Sequence, residues 1–326
     1  MNTTDWTFDG TWPYEPKWFD TPDGRMHYVD EGPRDGKPVV MVHGNPTWAY
    51  LYRNFIGPLV DAGHRAIAVD HLGFGRSDKP DDPSVYRLER NFQRLEELLE
   101  SLDLRDATAV VQDWGGPTGL YWASRHPERV RSLFIMNTYA HRWREKVEFP
   151  LPVRLFRASG TGELLVKRLD LFKRGLLFGG PTGIRRDRLT DTVKAAYRAP
   201  HPDAASRAAI LQFVRNIPTD PDDPGAVLIG EIEKRLAAGF RDKPVKIAWG
   251  LKDAVFTEEE FLKRLWLETF PNARVVRIPQ ASHFVQEDAH EVVVPELLDL
   301  LGPGRSALDS DPSVASVRPM VLAKGA

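Results

Sequence analysis

Asp113, Asp253 and His283 are the residues of this 326-residue chain whose types and placement could do chemistry together. Asp113 ends the run Ala107-Thr-Ala-Val-Val-Gln-Asp113 and is followed by Trp114-Gly115-Gly116. A β-branched, apolar run without Pro or Gly that stops at two glycines reads as a short buried strand, and Pro117 to His126 after it reads as a helix. An Asp on a sharp strand-to-helix turn stands where a nucleophilic Ser would be expected. The plainer alternative is an Asp that merely caps the helix. A carboxylate nucleophile has a definite chemical meaning. Alkylated Ser would be an ether, closed to histidine-activated water, whereas alkylated Asp is an ester with an attackable carbonyl. With an ordinary pKa of about 4, Asp is ionised at neutral pH without a base to activate it. The pattern points to displacement at saturated carbon followed by ester hydrolysis.

Strands are predicted at Met26 to Asp30, Pro38 to Val42, Arg65 to Asp70, Ala107 to Asp113, Val130 to Asn137, Val245 to Gly250 and Arg274 to Pro279. Helical patterns lie between most of them, such as Leu88, Phe92, Leu95, Leu99 and Leu102, spaced by three and four. Alternation of this kind implies an α/β fold with a mostly parallel sheet flanked by helices, and ligands of such sheets bind beyond the carboxyl ends of the strands. Asp253 follows one strand in Gly250-Leu-Lys-Asp253, and His283 follows the last in Ser282-His283-Phe284. Nucleophile, acid and histidine therefore occur in the order that this chemistry uses, each just past a strand, which turns the reading of Asp113 from cap to nucleophile. Ser77 and Ser282 are the serines that a rival mechanism would use as nucleophile. Asn45, in His43-Gly44-Asn45-Pro46-Thr47-Trp48, would bring a backbone N–H and a side-chain amide to the same edge, unless Gly-Asn-Pro is only a turn. Gly73-Phe-Gly75 lacks the third glycine and the helix of a dinucleotide fingerprint and reads as a structural turn.

The stretch from Tyr139 to about Pro224 breaks the alternation. It is helical in pattern, interrupted by Gly160, Gly162, Gly179-Gly180-Pro181 and Pro200, and strongly basic up to Pro200. It is expected to be a helical cap over the strand ends, with a solvated charged surface. The domain expectation is a core of 1–138 and 225–302, a cap of 139–224, and a Ser/Asp/Pro-rich tail of 303–326 that is either disordered or used in subunit contact. The net charge of −2 gives no support to nucleic-acid binding. No apolar run approaches the length of a membrane span, and Met1 to Pro16 has no signal-like core, so a soluble cytoplasmic protein is expected. The absence of cysteine excludes disulfides and thiol catalysis. No cofactor and no metal is expected.

These motifs resemble the haloalkane dehalogenases of the α/β-hydrolase fold, over about Trp18 to Leu301. The resemblance rests on His-Gly-Asn-Pro-Thr-Trp, Val-Gln-Asp-Trp-Gly-Gly, Tyr197-Arg-Ala-Pro200, Gly250-Leu-Lys-Asp253 and Ser282-His283-Phe284. It implies Asp113 as nucleophile, His283 as base, and Asn45 with Trp114 as the halide-binding pair. A small apolar halogenated substrate and water are then the partners. One subfamily takes its third acid from the position of Asn137, so Asp253 is the candidate here, as in the third subfamily, whose members tend to self-associate. Trp143, the sole tryptophan of the cap, is a weaker alternative to Asn45. Chemistry supports the pair independently: a halide cannot be usefully protonated on leaving, so fixed donors in a dry pocket must meet its charge, and the indole and the Asn amide both donate. The backbone N–H groups of Asn45 and Trp114 would form the oxyanion hole. Two alternatives stand beside this reading. An epoxide hydrolase would use the same Asp and His with a proton from Tyr139 or Tyr197, and a non-catalytic small-molecule receptor could share the fold.

Overall fold

In the computed structural model, which describes residues 4–180 and 182–304, eight strands form one sheet in the order β1-β2-β4-β3-β5-β6-β7-β8. They are β1 Lys17–Thr21, β2 Gly24–Glu31, β3 Pro38–Val42, β4 Arg65–Val69, β5 Ala107–Asp113, β6 Val130–Thr138, β7 Val245–Gly250 and β8 Arg274–Ile278. The β1–β2 and β2–β4 pairings are antiparallel, and the remaining five are parallel. Seven strands fall on the predicted stretches. The eighth, β1, escapes prediction because Lys17-Trp-Phe-Asp-Thr21 is a short edge strand with Trp18 and Asp20 facing solvent.

The helices are α1 Arg53–Asp61, α2 Leu88–Ser101, α3 Gly115–Arg125, α4 Leu151–Arg157, α5 Leu171–Phe178, α6 Asp191–Arg198, α7 Ala208–Arg215, α8 Pro224–Gly239, α9 Leu267–Thr269, α10 Val285–Asp288 and α11 His290–Leu301. Side chains alternate across each strand, so the sheet has two apolar faces. Val40, Val42, Ile67, Val69 and Val111 pack under α2, α3 and α8. Val39, Met41, Ala66, Ala68 and Val110 pack under α1 and α11. The near-continuous apolar sequence of each central strand is thus what both layers of helix require.

One predicted boundary is corrected. Gly115 and Gly116 do not stop the strand ahead of a helix at Pro117; they form the first turn of α3. Their role there is close approach: a Cβ on Gly115 would lie 2.0 Å from the Val42 carbonyl oxygen. Between β6 and β7 the described residues form no strand until the sheet resumes, and α4 to α7 make up a helical segment, after which α8 returns to the sheet beside α3. The tail from residue 305 lies outside the described residues. No described helix is long and apolar enough to cross a membrane.

Candidate active site

β3 and β5 are neighbours, but the chain leaves them in opposite directions, β3 towards β4 and β5 towards β6. This is the switch point at which a doubly wound sheet opens a crevice. Asn45 from the loop after β3 and Asp113 at the end of β5 meet there, the Asn45 backbone N–H donating to Asp113 Oδ1 at 2.7 Å. Asp113 has φ +50, the left-handed region that costs a non-glycine residue strain and marks functional turns. Its carboxylate does not cap α3, whose N-cap is Trp114 without a side-chain bond. Such proximity is possible because residue 44 has no side chain: a Cβ on Gly44 would stand 2.1 Å from Asp113 Oδ1.

His283 comes to the same place from the far side of the sheet. Its Nδ1 is 2.8 Å from Asp253 Oδ2 and its Nε2 is 3.6 Å from Asp113 Oδ2. Asp253 is buried and is itself held, accepting from Asn137 Nδ2 at 3.0 Å and from the Val255 N–H at 2.8 Å. Burial opposes charge on His283, but the carboxylates of Asp253 and Asp113 outweigh it and draw the imidazole up to about 10. Asp253 exerts the largest part of that pull, and the carboxylate of Asp113 adds to it through its hydrogen bond and its charge. If Asp113 became an ester, the charge would vanish and the imidazole would fall towards the range of a useful base.

The other acids close to His283 in sequence point elsewhere. Glu287 forms a bidentate pair with Arg53 and accepts from the Tyr197 hydroxyl, while Asp288 accepts from the N–H groups of Ser282 and Arg185, both at 2.8 Å. Both acids therefore tie the histidine loop to the helical segment, leaving Asp253 as the carboxylate on the ring.

The Trp114 indole is buried and makes no hydrogen bond among the described residues, whereas the Trp143 N–H is spent on the Pro218 carbonyl at 2.9 Å. Asn45 Nδ2 donates one hydrogen to the Ile210 carbonyl at 3.1 Å, and an amide has a second. As the N-cap of α3, Trp114 also has a backbone N–H without an intrahelical partner. The surroundings are aromatic: Phe213 stands 5.5 Å from the Trp114 ring and Phe256 stacks on His283 at 5.5 Å. Of the two tyrosines, Tyr197 is committed to Glu287, and the buried Tyr139 hydroxyl has no partner among the described residues. Ser77 donates to the Asp70 carbonyl and Ser282 to that of Lys252, while the His283 ring nitrogens face Asp253, Asp113 and Gln112.

Two residues in the site were not singled out for this role from sequence. Asn137 braces Asp253, and Gln112 lies with its amide nitrogen 3.0 Å from His283 Nε2. Gln112 carried a signal, a polar side chain inside an apolar strand directly before Asp113, but strand alternation would aim it away from that residue. Around it the register of β5 against β6 slips, between Gln112 and Asp113, which redirects the side chains.

A family model described as the alpha/beta hydrolase fold matches residues 37–290. A cis-3-alkyl-4-alkyloxetan-2-one decarboxylase of Shewanella oneidensis is 37% identical, covering 86% of each chain, and one of Xanthomonas campestris pv. campestris is 36% identical over 89% of this chain and 97% of that one. Haloalkane dehalogenase 2 of Mycobacterium tuberculosis is 32% identical over 89% of this chain and 96% of its own length. Among solved structures, the tetrameric haloalkane dehalogenase DpaA from Paraglaciecola agarilytica superposes with a TM-score of 0.74 at 30% identity, covering 88% of this chain and 92% of that one.

Proposed function

Because the chain belongs to the haloalkane dehalogenase family of the α/β-hydrolase fold, we propose that it hydrolyses haloalkanes to an alcohol and a halide in two steps. Asp113 attacks the halogen-bearing carbon, the new C–O bond forming as the C–X bond breaks and the halide leaves with the electron pair. The indole N–H of Trp114 and the remaining amide N–H of Asn45 receive that charge in an aromatic, dry setting. Alkylation removes the charge of Asp113, His283 becomes a base, and it takes a proton from water as the water attacks the ester carbonyl. The oxyanion meets the backbone N–H groups of Asn45 and Trp114, the alcohol leaves, and Asp113 is regenerated. One observation carries the reading: a carboxylate at φ +50, set between the Asn45 N–H and His283 Nε2. Halide release from 1-bromobutane tests it, and a folded protein that releases none from this or related bromoalkanes would overturn it.

The decarboxylase relatives favour a second reading. In an oxetan-2-one, C4 is saturated carbon bearing the ring oxygen, so Asp113 could open the ring there and leave a free carboxylate on C3. The electrons of the C3–carboxylate bond would then form the C3–C4 double bond, releasing carbon dioxide and expelling the Asp113 carboxylate. No water and no base enters this route. Multiple turnovers of a cis-3,4-dialkyl oxetan-2-one by His283→Ala, with bromoalkane turnover stopped, would select it. For epoxide opening, the Tyr139 hydroxyl has no partner among the described residues whereas that of Tyr197 is committed to Glu287, and the same assay with a short epoxide decides it. Self-association is supported by the tetramer of DpaA and is checked by sedimentation.

A further inference from the structure

We infer that Gln112 is a positioning residue for His283: once Asp113 has lost its charge, the Gln112 amide favours the neutral, Nδ1-protonated imidazole that accepts a proton from water. Both hydrogens of the Gln112 amide go to one residue. Nε2 of Gln112 lies 3.1 Å from the His283 carbonyl oxygen and 3.0 Å from His283 Nε2. A carbonyl oxygen only accepts, so it fixes which end of the amide faces the histidine; turning the amide over would set oxygen against oxygen and lose that bond. Gln112 Oε1 is buried without a partner among the described residues, so no other group dictates this orientation, and the arrangement persists despite the cost of an unpaired buried acceptor.

The consequence is electrostatic. With Nδ1–H directed at Asp253, a neutral imidazole offers the Gln112 N–H a lone pair. Once Nε2 is protonated, two N–H groups face each other at the same distance, and the contact becomes repulsive. Gln112 thus opposes the charged groups that face the ring, which are Asp253 beyond β7 and Asp113 on β5. The remaining neighbours are uncharged, Phe256 stacked on the ring and Phe284 edge-on to it. With Asp113 alkylated, Asp253 still favours the charged ring, and a general base works best when it is poised near the operating pH. During hydrolysis the amide yields the lone pair to the incoming water. It then disfavours retention of the proton, which helps pass it on to the departing alcohol.

This inference rests on the hydrolytic reading for its kinetic consequence but not for its titration. The experiment compares the parent with Gln112→Met, similar in length and without a donor. In protein labelled with 15N-histidine, the His283 signal, identified by its loss in His283→Ala, should titrate about one pH unit higher in Gln112→Met. The acid limb of alkyl-enzyme hydrolysis should move to higher pH by a similar amount, with the initial release of one halide per site retained. Desolvation by the thioether alone would move the histidine the other way, and mere loosening would lower the rate without moving the limb. Gln112→Glu, equal in shape, should shift the limb further in the same direction. An unmoved or lowered titration in folded Gln112→Met overturns the inference; should that variant not fold, a parental pH profile in Gln112→Glu does so. A parent without a halide burst would instead refute the hydrolytic reading and leave the titration to decide on Gln112.

Discussion

The edge of the sheet that carries Asp113, Asp253 and His283 and the helical segment between β6 and β7 are built to different standards of constraint. At the edge, backbone and side chains approach so closely that Gly44 and Gly115 admit no Cβ, and Asp253, His283 and Asp113 form one continuous chain of contacts. The helical segment leaves Leu151, Leu155, Leu164, Leu169 and Leu171 exposed. It joins the core through apolar side chains such as Leu177, Ile184, Val193 and Phe213, and through polar contacts that include Asn45 to the Ile210 carbonyl, the Trp48 indole to the Ala196 carbonyl, Tyr197 to Glu287, and the Arg185 N–H to Asp288. Bond-making chemistry tolerates little displacement, and strand ends give it a rigid base; the helical segment, with part of its apolar surface open to solvent, is under less local constraint.

The comparison breaks most directly at His283. If the edge alone performs the first step, His283→Ala should release about one halide per active site and then stop, with the protein heavier by one alkyl group on the peptide carrying Asp113. Absence of both burst and adduct, in folded protein given a substrate the parent turns over, would overturn the covalent role of Asp113. Next in size is Asp253→Asn, which leaves the shape intact but disturbs the tautomer and charged form of His283, and should slow ester hydrolysis by about three decades. Parental activity in that variant, with loss in Glu287 or Asp288 variants, would reassign the acid.

Trp114→Phe keeps a ring and removes one donor, and should cost roughly two decades in the halide-releasing step. Near-parental turnover of bromoalkanes would dismiss Trp114 as a halide ligand. The seating of the helical segment is sharpened by Glu287→Ala, which leaves the Arg53 guanidinium buried and unpaired and should cost about 3 kcal/mol in denaturant unfolding. A stability equal to the parent would show that the contacts of Glu287 with Arg53 and Tyr197 do not hold the two regions together. A last test concerns the pH dependence of folding. The folded-state value of His283, about 10, lies above the ordinary value near 6.5. Its pairing with the carboxylates therefore stabilises the fold fully below about pH 6.5 and ceases to do so as pH rises through 10, and removal of His283 should flatten that slope in thermal melts.

Much of the site was legible because it obeys local rules. A β-branched run ending in Asp-Trp-Gly-Gly announces a strand and a turn, and an acid and a histidine just past later strands announce their partners by order alone. The edge strand β1 was not legible, since half-exposed polar residues do not differ from a loop. Nor was the start of α3 legible, because glycines that normally end helices are required here by the Val42 carbonyl.

The chain sequence by itself determined the layered sheet, the order of the three reactive residues and the chemical logic of a carboxylate nucleophile, because periodicity and residue type act through neighbours in the chain. Only the tertiary structure decided which contacts each reactive group makes. Asp253 rather than Glu287 or Asp288 reaches the imidazole, Trp143 spends its N–H on Pro218 while Trp114 does not, and Gln112 turns onto His283 where the β5 register slips. Those outcomes depend on distances of about one hydrogen bond between residues far apart in sequence, and no local pattern encodes them.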